Sequence, residues 1–122
     1  MYTILLVDDS DELRQVLKKL ILMNFNDVEV FEANDGEEAY LAIGTRLPDL
    51  IFMDIGLPCI NGLELTKQIK EKFSDLPIAI FSNYDYPEYR KEAFESGVNF
   101  YLSKAESSEK DIVRLIRNNK TP

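Results

Sequence analysis

The sequence contains no histidine, no tryptophan and a single cysteine, Cys59. Without histidine, a zinc site and a histidine-based catalytic triad both lose a usual member. One cysteine allows no intramolecular disulfide and no paired-cysteine metal motif. No apolar run approaches the ~18 residues that cross a bilayer. The N-terminus has no basic region, and Asp8-Asp9 interrupts its apolar run, so no signal peptide is expected and the expected location is the cytosol. Basic residues are also scarce. There are 14 against 22 acidic ones, for a formal net charge of −8. That balance argues against direct nucleic-acid binding and against anionic membranes, both of which reward lysine and arginine patches.

What remains is a chain of 122 residues, 45% hydrophobic and 30% charged. That describes one globular domain over residues 1–122 with a real core. It has no visible linker, repeat or low-complexity segment. Its centre is the run Leu50-Ile51-Phe52-Met53-Asp54. Four apolar residues in a row predict a strand buried on both faces, and the run stops at a carboxylate. A loop with Gly56 and Pro58 follows, and then Asn61-Gly62-Leu63-Glu64, a helix start with a capping-box pattern.

The other segments repeat this plan. Thr3–Val7 predicts a buried strand ending at Asp8-Asp9, and Ser10 caps a helix whose apolar face is Leu13, Val16, Leu17 and Leu20. Val28–Ala33 alternates apolar and polar, as an edge strand does. Asp35-Gly36-Glu37-Glu38 opens a helix carrying Ala39, Tyr40 and Ile43, with Gly44 as its expected end. The third helix carries Leu65, Ile69 and Phe73. Pro77–Phe81 predicts a buried strand ending at Ser82. Asp85-Tyr86-Pro87-Glu88 reads as a further capping box, for a helix reaching about Ser96 with Gly97 just beyond. Asn99–Leu102 predicts a short edge strand, with Lys104 just after it. Ser107 or Ser108 caps a last helix with Ile112, Leu115 and Ile116 inward. Five strands alternating with five helices imply an α/β fold, a doubly wound parallel sheet with helices on both faces.

Each strand but the second ends at a polar residue: Asp8 and Asp9, Asp54, Ser82, Lys104. In a parallel sheet these ends share one edge, where ligands bind. Three crowded carboxylates repel, and Mg²⁺ resolves this because it takes a few carboxylates and keeps its waters. A carboxylate beside Mg²⁺ and a lysine can attack phosphorus and form an aspartyl phosphate. The Ser82 hydroxyl would then bond a phosphoryl oxygen.

The ordered set of Asp8-Asp9, Asp54 followed by Pro58 and Gly62, then Ser82, Tyr101 and Lys104 resembles the receiver domains of two-component response regulators. The resemblance covers essentially the whole chain. It implies a flavodoxin-like sheet of order 2-1-3-4-5 and a signalling receiver that catalyses only its own phosphorylation and dephosphorylation. It also implies Asp54 as phosphoacceptor, Asp9 and Asp54 as direct Mg²⁺ ligands with the Gly56 carbonyl, and Asp8 acting through water. Ser82 and Lys104 would contact the phosphoryl group, and Tyr101 would be an aromatic switch. The implied partners are a sensor histidine kinase or phosphotransfer protein, a downstream effector or output domain, and a second copy in a phosphorylation-dependent homodimer.

Some positions depart from the family pattern. Ala105 stands where a proline often follows the lysine. Asn83 replaces a small residue and is expected to narrow the site. Gly56 offers no side chain to position or block water. Phe94 is expected to be a partly exposed anchor on the output face. Thr121-Pro122 falls where a linker to a DNA-binding domain would begin. Three other readings are weaker. An interaction module without chemistry conflicts with the intact site positions. A small-molecule phosphotransferase would need a cap segment. A flavin carrier would need a phosphate-binding loop where Asp8-Asp9-Ser10-Asp11-Glu12 stands.

Overall fold

A computed structural model describes residues 1–120; the expected linker at Thr121-Pro122 lies outside the described residues. The elements are β1 (Tyr2–Val7), α1 (Asp11–Asn24), β2 (Val28–Ala33), α2 (Gly36–Thr45), β3 (Leu50–Met53), α3 (Gly62–Lys72), β4 (Ile78–Ser82), α4 (Pro87–Glu95), β5 (Phe100–Ser103) and α5 (Glu109–Lys120). The strands form one parallel sheet of order β2-β1-β3-β4-β5, as expected. No helix among the described residues is long and apolar enough to cross a membrane.

The two-residue period of the strands divides the core. Leu5, Val7, Ile51, Met53, Ile78 and Ile80 face α2, α3 and α4, packing with Ala39, Leu65, Ile69 and Ala93. Ile4, Leu6, Leu50, Phe52, Ala79 and Phe81 face α1 and α5, packing with Leu17, Ile21, Ile112 and Ile116. On that second side Phe52 and Phe81 meet edge to face, with ring centroids 6.5 Å apart. β1, β3 and β4 are buried on both faces, which is why their sequences are almost unbroken apolar runs.

Register carries the site. Val7 pairs with Met53, so Asp8 and Asp54 leave the sheet side by side. Ser82 pairs with Ser103, so Lys104 leaves beside Ser82. The ladder continues one step past the strand ends. Asp54 N–H donates to Val7 O at 2.9 Å, Asp8 N–H to Ala33 O at 3.1 Å and Lys104 N–H to Ser82 O at 2.9 Å. The polar residues are therefore fixed by sheet hydrogen bonds rather than by loop conformation.

Most expected caps are present. Ser10, Asp35 and Asn61 accept from the amides of Leu13, Glu38 and Glu64, and Ser108 and Asp111 cap reciprocally. Other expectations fail in instructive ways. Asp85 does not cap α4; its carboxylate takes the guanidinium of Arg90 at 2.5 Å instead, a charge-assisted bond stronger than a neutral cap. Tyr86 is left at the N-cap with no side-chain bond, and Pro87 removes one donor that would need it. Val16 does not face the core and is 64% exposed; the inward stripe of α1 is Arg14, Leu17 and Ile21. Gly44 does not end α2, which runs on to Thr45 with Arg46 as its C-cap. Tyr40 points outward and bonds Gln68. Phe73 is the C-cap of α3 and half-exposed. Gly97 does lie past α4 in the left-handed region, at φ +101°.

Gly62 has a steric reason. A Cβ there would lie 1.9 Å from the Asp54 carbonyl oxygen, inside the backbone of the loop that carries the carboxylate. Gly44 has none, since a Cβ there would meet nothing within 4 Å. Urea unfolding should therefore separate the two glycines. Gly62→Ala should lose roughly 1–3 kcal/mol through overpacking. Gly44→Ala should gain about 0.5–1 kcal/mol from helix propensity.

Candidate functional site

The strand ends assemble one cleft at the carboxyl edge of the sheet. Its floor is Asp8, Asp54 and Lys104, and Asp9, Asn83 and Tyr84 stand at its rim. Asp8, Asp9 and Asp54 each offer a carboxylate oxygen, and the three atoms lie within 4.8 Å of one another. Asp8 and Asp54 are buried, whereas Asp9 is exposed. Lys104 Nζ lies 2.8 Å from Asp8 Oδ2 and 3.4 Å from Asp54 Oδ2. One ammonium thus serves two buried carboxylates.

Burial raises the pKa of the Asp54 carboxyl above the ordinary value, and the Asp8 charge adds to this. Lys104, the Ser82 hydroxyl and the Gly56 amide pull the other way without cancelling it. The Ser82 side chain is fully buried, and its Oγ accepts from Tyr84 N–H at 3.2 Å. The Tyr84 ring lies across Gly56, where a Cβ would come within 3.1 Å of Cε2. Asn83 is exposed at the rim and does not close the cleft, which has a volume of about 410 Å³.

Tyr101 is buried and points inward, its hydroxyl donating to the Tyr84 carbonyl. Burial, then the nearby Asp85 carboxylate, pushes its phenol up to about 12, so it keeps its proton and remains a donor. Arg90 covers the ring with its guanidinium carbon 4.7 Å from the centroid, held in place by Asp85. This chain from Ser82 through Tyr84 and Tyr101 to Arg90 and Asp85 was not legible as a unit. The Asp85-to-Glu88 spacing imitates a cap, and sequence alone does not say that Arg90 competes for the carboxylate.

Arg14 was also missed, although the sequence held a signal. It sits on the 14-17-21 stripe of α1, a charge among apolar neighbours at helical spacing.

Residues 4–117 match the family described as the response regulator receiver domain. The chain belongs to this family. It is 40% identical over 109 residues to the transcriptional regulatory protein YdfI of Bacillus subtilis, covering 89% of this chain and 51% of that one. It is 36% identical over 102 residues to the transcriptional activator protein ExaE of Pseudomonas putida, covering 84% and 48%. The chain therefore spans about half the length of these curated relatives. Among solved structures it superposes on a DNA-binding response regulator of the LuxR family from Staphylococcus aureus with a TM-score of 0.88, at 26% identity and 98% coverage of both chains.

This receiver is a signalling module with an acidic pocket of Asp8, Asp9 and Asp54, the kind of cluster at which receivers bind Mg²⁺. The donor set fits that ion. Mg²⁺ takes oxygen ligands at about 2.0–2.1 Å in an octahedron, so its ligand atoms lie roughly 3–4 Å apart. Three oxygens within 4.8 Å need only a small contraction to reach this spacing.

The raised Asp54 carboxyl has a pH consequence in the absence of metal. A carboxyl whose folded pKa exceeds its unfolded value destabilises the fold while it is ionised in both states, and the penalty disappears as pH falls through the folded pKa. Asp54→Asn, neutral at every pH, should melt several degrees higher than wild type at pH 7–8. The gap should shrink as pH falls toward 4. Melting curves across pH check this, and a gap that grows on acidification contradicts it.

Proposed function

We propose that Asp54 is the phosphoacceptor of this receiver. The observation that carries the proposal is the placement of a buried carboxylate at the end of β3, between Lys104 and the Asp8-Asp9 pair, with the Ser82 hydroxyl beside it. These 122 residues hold no histidine, so a phosphohistidine donor lies outside this domain, and the favoured reading is a sensor histidine kinase or a phosphotransfer protein. An Asp54 oxygen attacks phosphorus, the O–P bond forms as the N–P bond of the donor breaks, and the imidazole takes a proton from solvent. Asp8, Asp9, Asp54 and the Gly56 carbonyl would hold Mg²⁺, which offsets charge on the phosphoryl oxygens. Lys104 exchanges its contact with Asp54 for one with the phosphoryl group, and the Ser82 hydroxyl turns to donate its O–H to a phosphoryl oxygen, a rotation that carries Oγ away from the Tyr84 amide it accepts from.

The second half of the proposal concerns output. When Ser82 turns, Tyr84 loses the bond that fixes its amide, and the carbonyl that holds Tyr101 inward moves with the same residue. Tyr101 is thus a switch between two states, whose balance phosphorylation shifts. The surface that changes is that of α4, β5 and α5, where Phe94 is 50% exposed. The names of YdfI and ExaE favour a transcription output domain as the downstream effector, and a homodimer on this face is a second route. The setting is the cytosol.

Incubation with Mg²⁺ and phosphoramidate, followed by intact mass, should add one phosphoryl group to wild type. Asp54→Ala should gain none, nor should wild type without Mg²⁺. An Asp54→Ala protein that still gains the group would overturn the assignment.

The Tyr84 ring over Gly56 shields the acyl phosphate from water. Tyr84→Ala removes the shield, and Gly56→Asn displaces it and adds an amide that can orient water. Both should shorten the phosphoryl lifetime several-fold in a phosphate-release assay, and unchanged lifetimes would sink the idea.

A further inference from the structure

Asp8 is bound at every polar atom. Its amide donates to Ala33 O at 3.1 Å, its Oδ1 accepts from the Ser10 amide at 2.9 Å, and its Oδ2 accepts from Lys104 at 2.8 Å. Its carbonyl, also buried, is taken by the Arg14 guanidinium. Arg14 is 8% exposed, and its other nitrogens reach Asp11 and Glu32, the latter with Nε to Oε1 at 3.1 Å. Glu32 precedes Ala33 on β2, so the fork closes a ring. The end of β1, the first turn of α1 and the end of β2 meet at one guanidinium.

That carbonyl belongs to the Asp8–Asp9 peptide. Asp9 is the exposed member of the acidic cluster, and no described side chain bonds its carboxylate. The backbone alone fixes where its Cα–Cβ bond starts, and the plane of the peptide that leads into it is held by Arg14. We infer that Arg14 is a positioning residue for the cation site: by clamping the Asp8–Asp9 peptide it aims Asp9 at the point where its oxygen meets those of Asp8 and Asp54. This rests on the reading of that cluster as the Mg²⁺ site.

Electrostatics and positioning make opposite predictions, which gives a clean test. A guanidinium near the site repels Mg²⁺, so removing its charge should tighten binding on Coulombic grounds. Loss of a positioning group weakens metal binding, typically 10–100-fold. Mg²⁺ binding to the unphosphorylated protein, followed by amide NMR shifts, should be weakened about tenfold in Arg14→Gln. Arg14→Lys keeps the charge but cannot reproduce the planar fork, and should weaken binding more than twofold. Arg46→Gln removes one charge from an exposed pair with Glu29 and should leave affinity unchanged. Phosphoryl uptake by the Arg14 variants should return to the wild-type rate at saturating Mg²⁺, because the defect is in affinity. Unchanged or tighter binding in Arg14→Gln overturns the inference, as does a rate that stays depressed at saturating Mg²⁺. If Arg14→Gln does not fold by urea titration, unchanged binding in Arg14→Lys overturns it. Wild-type protein that binds no Mg²⁺ overturns the reading of the site and this inference together.

Discussion

Two buried carboxylates share one ammonium at the sheet edge, and the site is organised around that shortage of positive charge. Lys104 lies within ion-pair distance of Asp8 and Asp54 together. At an effective dielectric of about 20, one such contact is worth roughly 4 kcal/mol of gross attraction. Withdrawing a charged group from water costs several kcal/mol per ion. Burial first, and then the Asp8 charge, raise the pKa of Asp54, and the one lysine does not offset them. The edge is short of positive charge and therefore receptive to a cation. On the proposed reading, a phosphoryl group added at Asp54 would give the same lysine anionic oxygens to meet. A site balanced by two lysines would hold its ground state too well to accept either.

The shortage is sustainable because rigid elements impose it. Asp8, Asp54 and Lys104 are each tied to the sheet through their own amides, one residue past the strand ends. The backbones that carry the carboxylates cannot move apart to relieve the repulsion. Gly62 adds to this by letting α3 start against the Asp54 carbonyl at a distance no side chain tolerates. Stability is given up at the edge and recovered in the two apolar layers beneath it, where Ile4, Ile51, Ile78 and Ile80 are fully buried.

Much of this was legible in the sequence because the signals are covalent and periodic. Unbroken apolar runs gave β1, β3 and β4. The polar residue closing each run gave the site, since a parallel sheet must bring those ends to one edge. What stayed hidden were competitions between partners. Asp85 had a backbone amide and a guanidinium to choose from, and the spacing advertised only the first. Val16 fell within an apolar helical pattern, yet α1 is rotated so that Arg14 takes an inward position. The rotation follows from the Asp8 carbonyl and Glu32, two acceptors on β1 and β2 that no pattern within the helix can announce.

The competition at Asp85 lies in the segment whose bonds are the most replaceable. The strand ends have one arrangement each, whereas the segment between β4 and α4 is held by exchangeable bonds. Ser82 Oγ takes the Tyr84 amide, Tyr84 O takes the Tyr101 hydroxyl, and Arg90 divides itself between the Tyr101 ring and Asp85. Each of these polar bonds has a ready substitute in water or in a phosphoryl oxygen, so losing one costs about 1 kcal/mol rather than the penalty of an orphaned buried group. A sheet edge that cannot yield, facing a loop that yields cheaply, directs any change at Asp54 outward through that loop. Tyr101 joins this loop to the buried layer that faces α2, α3 and α4.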